Sequence, residues 1–313
     1  MVCGCSERNT PDVTPVVKEC AVMPSPRAGA SACAIGDKGY VFGGRDQNGR
    51  YLKDLWQYDS QSDTWSRINS FPGRARFKPL MAVYEDALYI GLGFAGGQAY
   101  DDSCYLRDLW KYTPENGQWT ELAPALNHNV IGGVPYLTGQ RLYMLYATGW
   151  SYTNEVVYYD LTADEWTIVP STGERAESCL GGAGAQCAGR CFFGAGVRKE
   201  NLCQWYEVDL EADRWSQRAS FPGKGREACA CCATNDCVYL FGGRYFGGEH
   251  TGGEVYNDYL RYSVAEDRWE RCGAMPAGRK ENMIAFTING TAYFGLGEDE
   301  NGQLTDRLYR IEQ

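Results

Sequence analysis

Short apolar runs, rich in aromatic and β-branched residues and punctuated by glycine or polar turns, recur along the whole chain. Six of them share one form: "YVFGG" at Tyr40, "YIGLG" at Tyr89, "YMLYA" at Tyr143, "FFGAG" at Phe192, "YLFGG" at Tyr239 and "YFGLG" at Tyr293. Runs of this length and composition predict β-strands rather than helices. Their spacing of 49, 54, 49, 47 and 54 residues makes them a repeat. A second series, Trp65, Trp119, Trp166, Trp215 and Trp269, follows polar turns such as "SQSDTW" and "EADRW". A third strand lies between the two series, as in "DLWQYD", "DLWKYT" and "LYRIE". Each unit is therefore predicted to hold four short strands.

The sixth unit stops at "LYRIEQ", before any tryptophan strand. The segment "VVKECAVMPSPRAG" from Val16 aligns with "RWERCGAMPAGRK" from Arg268, so the N-terminal strand is expected to complete the last sheet. That would close a ring and leave no free sheet edge. Phe71 and Phe221, Arg76 and Arg226, Asp108 and Asp258, and Trp119 and Trp269 all differ by 150 positions, which is three units and half a ring.

A unit of about 50 residues with a leading Arg, an aromatic-Gly-Gly strand and a Trp after an acidic turn resembles the kelch repeat, whose units form blades of a β-propeller. The resemblance covers residues 16–313 and implies an all-β, six-bladed kelch-type β-propeller with four antiparallel strands per blade. No blade of such a ring is stable alone, because both its faces must be covered by neighbours.

Composition supports this reading: 38 glycines, 22 tyrosines and nine tryptophans in 313 residues, 44% hydrophobic, suit many short strands in one large domain. No run of 18 apolar residues exists. A net charge of -10 argues against generic nucleic-acid binding, which needs a cationic surface. Residues 1–15 are polar and carry no repeat, and they read as a tether. Val2-Cys3-Gly4-Cys5 resembles the end of a bacterial lipoprotein signal, which implies a lipid anchor at Cys5 and a cell-envelope location, periplasmic or anchored in the outer membrane.

In a four-stranded antiparallel blade, the connection into strand one and the loop from strand two to strand three emerge on the same face. The first set carries Arg27, Arg76, Arg175, Arg226 and Arg279, and the second adds Arg45 and Arg244. The opposite face is expected to receive the acidic turns. Two readings follow: an arginine-rich mouth for an anionic ligand such as a carboxylate sugar, or arginines neutralised internally by neighbours such as Glu177, Glu227 and Glu281. The long loops add Phe94, Tyr100, Tyr245, Phe246, His250 and Tyr256, with Trp150 and Tyr152 in blade 3. These side chains either form a rim that stacks on sugar or pack the loops onto the blades.

No metal or cofactor is implied. The two histidines, His128 and His250, fall in different blades, and copper chemistry of the galactose-oxidase kind needs two His and two Tyr in one arrangement. Of the 14 cysteines, Cys179, Cys187, Cys191 and Cys203 in blade 4 and Cys229, Cys231, Cys232 and Cys237 in blade 5 are expected along first strands, where small buried side chains suit a crowded axis better than zinc ligation does. The chain also resembles the bacterial N-acetylneuraminate epimerases, six-bladed kelch-like propellers that carry a Glu after the glycine strand of blade 4. Here that run, "GAGVRKENL", has Val197 and Arg198 first, with Glu200 displaced. No nucleophile elbow, HExxH or phosphate loop is present. The expectation is a non-catalytic propeller that binds an anionic glycan or a protein partner. A sialic-acid mutarotase is the alternative.

Overall fold

The computed structural model describes residues 15–312, apart from 69, 98–101, 127–132, 146–154, 174, 177–178 and 248–252. Six four-stranded antiparallel sheets stand around one axis as a β-propeller. First strands of successive blades touch one another in order, and those of blades 6 and 1 complete the circle. The blades begin with Ser31–Ile35, Leu80–Tyr84, Val134–Thr138, Leu180–Cys187, Ala230–Ala233 and Ile284–Ile288. The aromatic-glycine runs supply every second strand: Lys38–Phe42, Ala87–Gly91, Arg141–Leu145, Arg190–Val197, Cys237–Phe241 and Thr291–Gly295.

The last blade is closed by the N-terminal strand. Val16–Glu19 pairs antiparallel with Leu308–Glu312, with Val16 opposite Glu312 and Glu19 opposite Tyr309. Among the described residues the one helical element is a 3-10 turn at Asp102–Cys104, and no helix is long and apolar enough to cross a membrane. The core lies between blades: Leu88, Ile90 and Tyr112 of blade 2 share one cluster with Tyr40, Phe42 and Leu55 of blade 1.

The second glycine of each glycine pair is explained by the axis. Gly44 has φ +89°, and a Cβ there would stand 2.7 Å from the Ala28 carbonyl and 2.9 Å from the Ala30 nitrogen. Its N–H donates to the Arg76 carbonyl of the next blade. Gly196, Gly243 and Gly297 donate likewise to Arg226, Lys280 and Arg27. A side chain at these positions would strike the lead-in and first strand of its own blade.

The polar turns before the tryptophans have a structural task that the sequence reading missed. Asp63, Asp164 and Asp267 sit at φ +52°, +56° and +48°, a conformation Asp tolerates better than most residues. Each carboxylate accepts the hydroxyl of a tyrosine in its own blade, Tyr58, Tyr159 or Tyr262, at 2.6–2.7 Å. The same oxygen accepts the N–H of Ala21, Ala123 or Ala219, where the outer strand of the preceding blade ends. The indoles of Trp65, Trp166 and Trp269 donate to the carbonyls of those same alanines at 2.8–2.9 Å. The acidic turns thus staple neighbouring blades together.

The candidate site at the channel mouth

The lead-in arginines fall into two groups. Arg27 and Arg76 are 0% exposed and Arg226 1%. Arg27 forks onto Asp54 with two bonds of 2.9 Å and also reaches the Gly43 carbonyl. Arg76 forks onto Asp108 at 2.9 and 2.7 Å and reaches Leu92. Arg226 reaches Asp258 at 2.8 and 3.4 Å and Gly242 at 3.0 Å, with its guanidinium 4.2 Å from the Tyr256 ring centroid. Planar fork geometry suits carboxylates, and here it ties the lead-in of each blade to the start of that blade's third strand. These three arginines do not open onto a ligand, because they are buried and aspartates two strands away in sequence hold their guanidinium ends. The internal pairing weighed from the sequence is what they form, with Asp partners rather than the neighbouring glutamates.

Two further arginines stand elsewhere than the alignment put them. Arg175 is paired at 2.6 Å with Asp213, the blade 4 counterpart of the stapling aspartates, and bonds the Val169 and Pro170 carbonyls. The lead-in position of blade 6 belongs to Lys280, whose carbonyl receives Gly243. Its neighbour Arg279 is exposed and donates to the Val255 carbonyl at 2.7 Å. Glu177, Trp150, Tyr152, Tyr100, His128, His250 and the cysteines of the proposed lipid signal lie outside the described residues.

The other candidates do converge. The residue after each lead-in position pairs through its backbone with the residue after the glycines: Ala28 with Arg45, Phe77 with Phe94, Glu227 with Arg244 and Glu281 with Glu298. These pairs ring the opening of a central channel of about 980 Å³ walled by the first strands. The ring is polarised. Blades 5, 6 and 1 form a charged arc, in which Arg244 pairs with Glu281 at 2.9 Å and Arg45 pairs with Glu298. Each arginine thus bridges to blade 6 from one side, and Asn282 donates to Glu298 at 2.8 Å.

Blade 2, with Tyr51 of blade 1, supplies an aromatic arc. Phe94 lies 5.3 Å from Tyr105 and 6.0 Å from Tyr51, which lies 6.0 Å from Phe77. Phe94 thus packs its loop against rings of blades 1 and 2. Tyr245 sits in a small hairpin, Arg244–Tyr245 with Glu254–Val255, under the Lys224 ammonium at 4.8 Å. Phe246, next along, is 51% exposed.

Burial dominates the electrostatics of the mouth. It raises the Glu227 carboxyl pKa against the opposing pull of Lys78 and Arg244. It also raises Glu281, with Arg244 opposing and Glu298 reinforcing. For Lys78 the same desolvation lowers the ammonium pKa, opposed first by Glu227. Deeper in the channel, burial raises the thiols of Cys33, Cys231 and Cys232, the last to about 12. They are protonated at neutral pH and serve as small wall residues rather than nucleophiles. All 12 described cysteines are free. Glu200, the displaced carboxylate of blade 4, is exposed in the turn that Arg198 closes on it. Lys78, Glu298 and the aspartates that hold the lead-in arginines escaped the sequence reading. The recurring Asp of "DLW" was the available signal for the last.

Residues 10–131 match the KLHDC2/KLHL20/DRC7 Kelch-repeats domain, and residues 225–276 match the Kelch motif. Kelch-like protein 25 of Xenopus tropicalis is 32% identical over 262 residues, 82% of this chain and 42% of that protein. The human Kelch-like protein 25 is 30% identical over 230 residues, 72% and 38% of the two chains. Kelch-like protein terF of Aspergillus terreus is 27% identical over 207 residues. The chain spans less than half the length of these curated relatives. The solved structure of YjhT superposes with a TM-score of 0.75 over 94% of this chain and 99% of that one, at 16% identity, a likeness of fold alone.

Proposed function

We propose that this chain, a kelch-repeat six-bladed β-propeller, works as a binding module that docks a partner protein on the face around the channel mouth. The observation that carries this reading is the mixed chemistry of the rim. Half-exposed Arg45 and Arg244 sit beside an aromatic arc and an exposed Phe246. Arginine and aromatic side chains around a polar opening are the residue types that dominate protein interfaces. The similarity to Kelch-like proteins supports the same reading. An anionic glycan is the weaker candidate, because the arginines most suited to a carboxylate already hold aspartates inside the blades. Mutarotation needs an acid/base carboxylate aimed at a sugar, and Glu200 is turned to solvent.

A photo-crosslinking amino acid placed at Phe246, in the cell that makes the protein, tests the face. A discrete protein adduct at position 246 is expected, with none from the same group at Gln61, in the strand three to four turn of blade 1. The adduct should weaken when Arg45 and Arg244 are both changed to Ala. Equal adducts at both positions, or a Tm rise with N-acetylneuraminate that depends on Arg45, would turn the reading over.

A further inference from the structure

Two opposite charges in the mouth are left without an ion pair, the Lys78 ammonium lying 5.6 Å from the centroid of its neighbour Phe77. Lys78 reaches into the channel from blade 2, and Glu227 lines it from blade 5, the blade directly across the axis. Each is the other's foremost charged neighbour. Among the described residues neither side chain has a hydrogen-bond partner, and no ammonium-to-carboxylate approach within 4.0 Å joins them, whereas Glu281 and Glu298 beside them are held by Arg244 and Arg45. The Lys78 backbone is held in place. It is in the left-handed region at φ +46°, and its N–H donates to the Gly29 carbonyl at 2.8 Å. That bond belongs to an axial series in which Gly29 donates to Asn282, Asn282 to Ala228 and Ala228 to Gly181.

Partly desolvated, unpaired charges are costly, and the gap between these two is filled best by a group that presents the complementary charge to each. Below them the channel is walled by small side chains such as Ala32, Ala185, Cys231 and Ala285, which accept an apolar group and offer it no polar partner. We propose that the channel mouth binds a small zwitterion of the α-amino acid class with an apolar side chain: its carboxylate on Lys78, its ammonium on Glu227 and its side chain down the channel. This site lies inside the ring and is independent of protein docking on the rim.

Isothermal titration of the purified chain with L-leucine tests the site, alongside 4-methylpentanoate, which lacks the ammonium, and 3-methylbutylamine, which lacks the carboxylate. L-Leucine should bind, and each half-analogue should bind about tenfold more weakly or not at all, since each leaves one charge unmet. Lys78→Met and Glu227→Gln should each weaken L-leucine by a similar factor. Glu227→Gln is isosteric and keeps the test open should Lys78→Met fail to fold. Water alone bridging the gap gives no binding in any arm, and that result overturns the proposal. So does binding of L-leucine that both variants leave unchanged.

Discussion

Changing Arg27 to Met tests whether the lead-in arginines are structural. Arg27 is wholly enclosed, and besides its fork onto Asp54 it donates to the carbonyls of Ser25 and Gly43 at 3.1 and 3.0 Å. Asp54 also accepts the Trp56 indole at 2.6 Å, and its side chain is only 11% exposed. Methionine fills much of the volume but leaves that carboxylate without its counter-charge. Breaking a buried pair from one side costs about 3–5 kcal/mol. At about 2 °C per kcal/mol for a chain of this size, Tm should fall by about 6–10 °C. Differential scanning calorimetry reads this directly. The double variant Arg27→Met with Asp54→Leu should recover most of the loss, because replacing both ions by apolar groups is close to neutral. A single variant within about 2 °C of the parent, roughly 1 kcal/mol, would refute the argument and return Arg27 to the list of arginines available to a ligand.

The same pair sets one pH dependence. Burial alone would raise the Asp54 pKa, but Arg27 and Trp56 outweigh it and hold the carboxyl below its ordinary range. Its contribution is therefore complete above the ordinary carboxylate pKa and lost as pH falls through the lowered folded value, a loss that the Arg27→Met variant should not show in acid titrations of Tm. Glu227 behaves in the opposite sense: its folded pKa is raised, so the folded chain takes up its proton first and gains stability as pH falls through that value. Glu227→Gln should accordingly raise Tm at pH 7, with the difference shrinking toward pH 4. Asp267→Ala removes the acceptor of Tyr262 and Ala219 and leaves a left-handed residue without its local bonds. A loss of about 2–3 kcal/mol is expected in urea denaturation, with Asp267→Asn much milder. Deleting residues through Glu19 strips the outer strand from blade 6 and bares the Leu308–Glu312 edge. Light scattering should then show association through that edge, and a monodisperse monomer would count against closure by this strand.

The ring, its six units, the four strands in each and the closing strand near Val16 were legible in the chain because they are periodic. A repeat that must stack on its neighbours leaves the same apolar and glycine pattern in every unit. The chemistry of the mouth was not periodic and was read only in part. Sequence proximity suggested that Arg226 and Arg279 would answer to Glu227 and Glu281. In the folded ring Arg226 reaches Asp258, 32 residues on, while Glu281 is held by Arg244 of the adjoining blade. Lys78 and Glu227 face one another from blades half a ring apart. What local sequence determines is which residues form strands and turns, since those choices are made by neighbours a few positions away. Which charges meet, and which are left waiting across the axis, is decided only when closure sets the angle between blades.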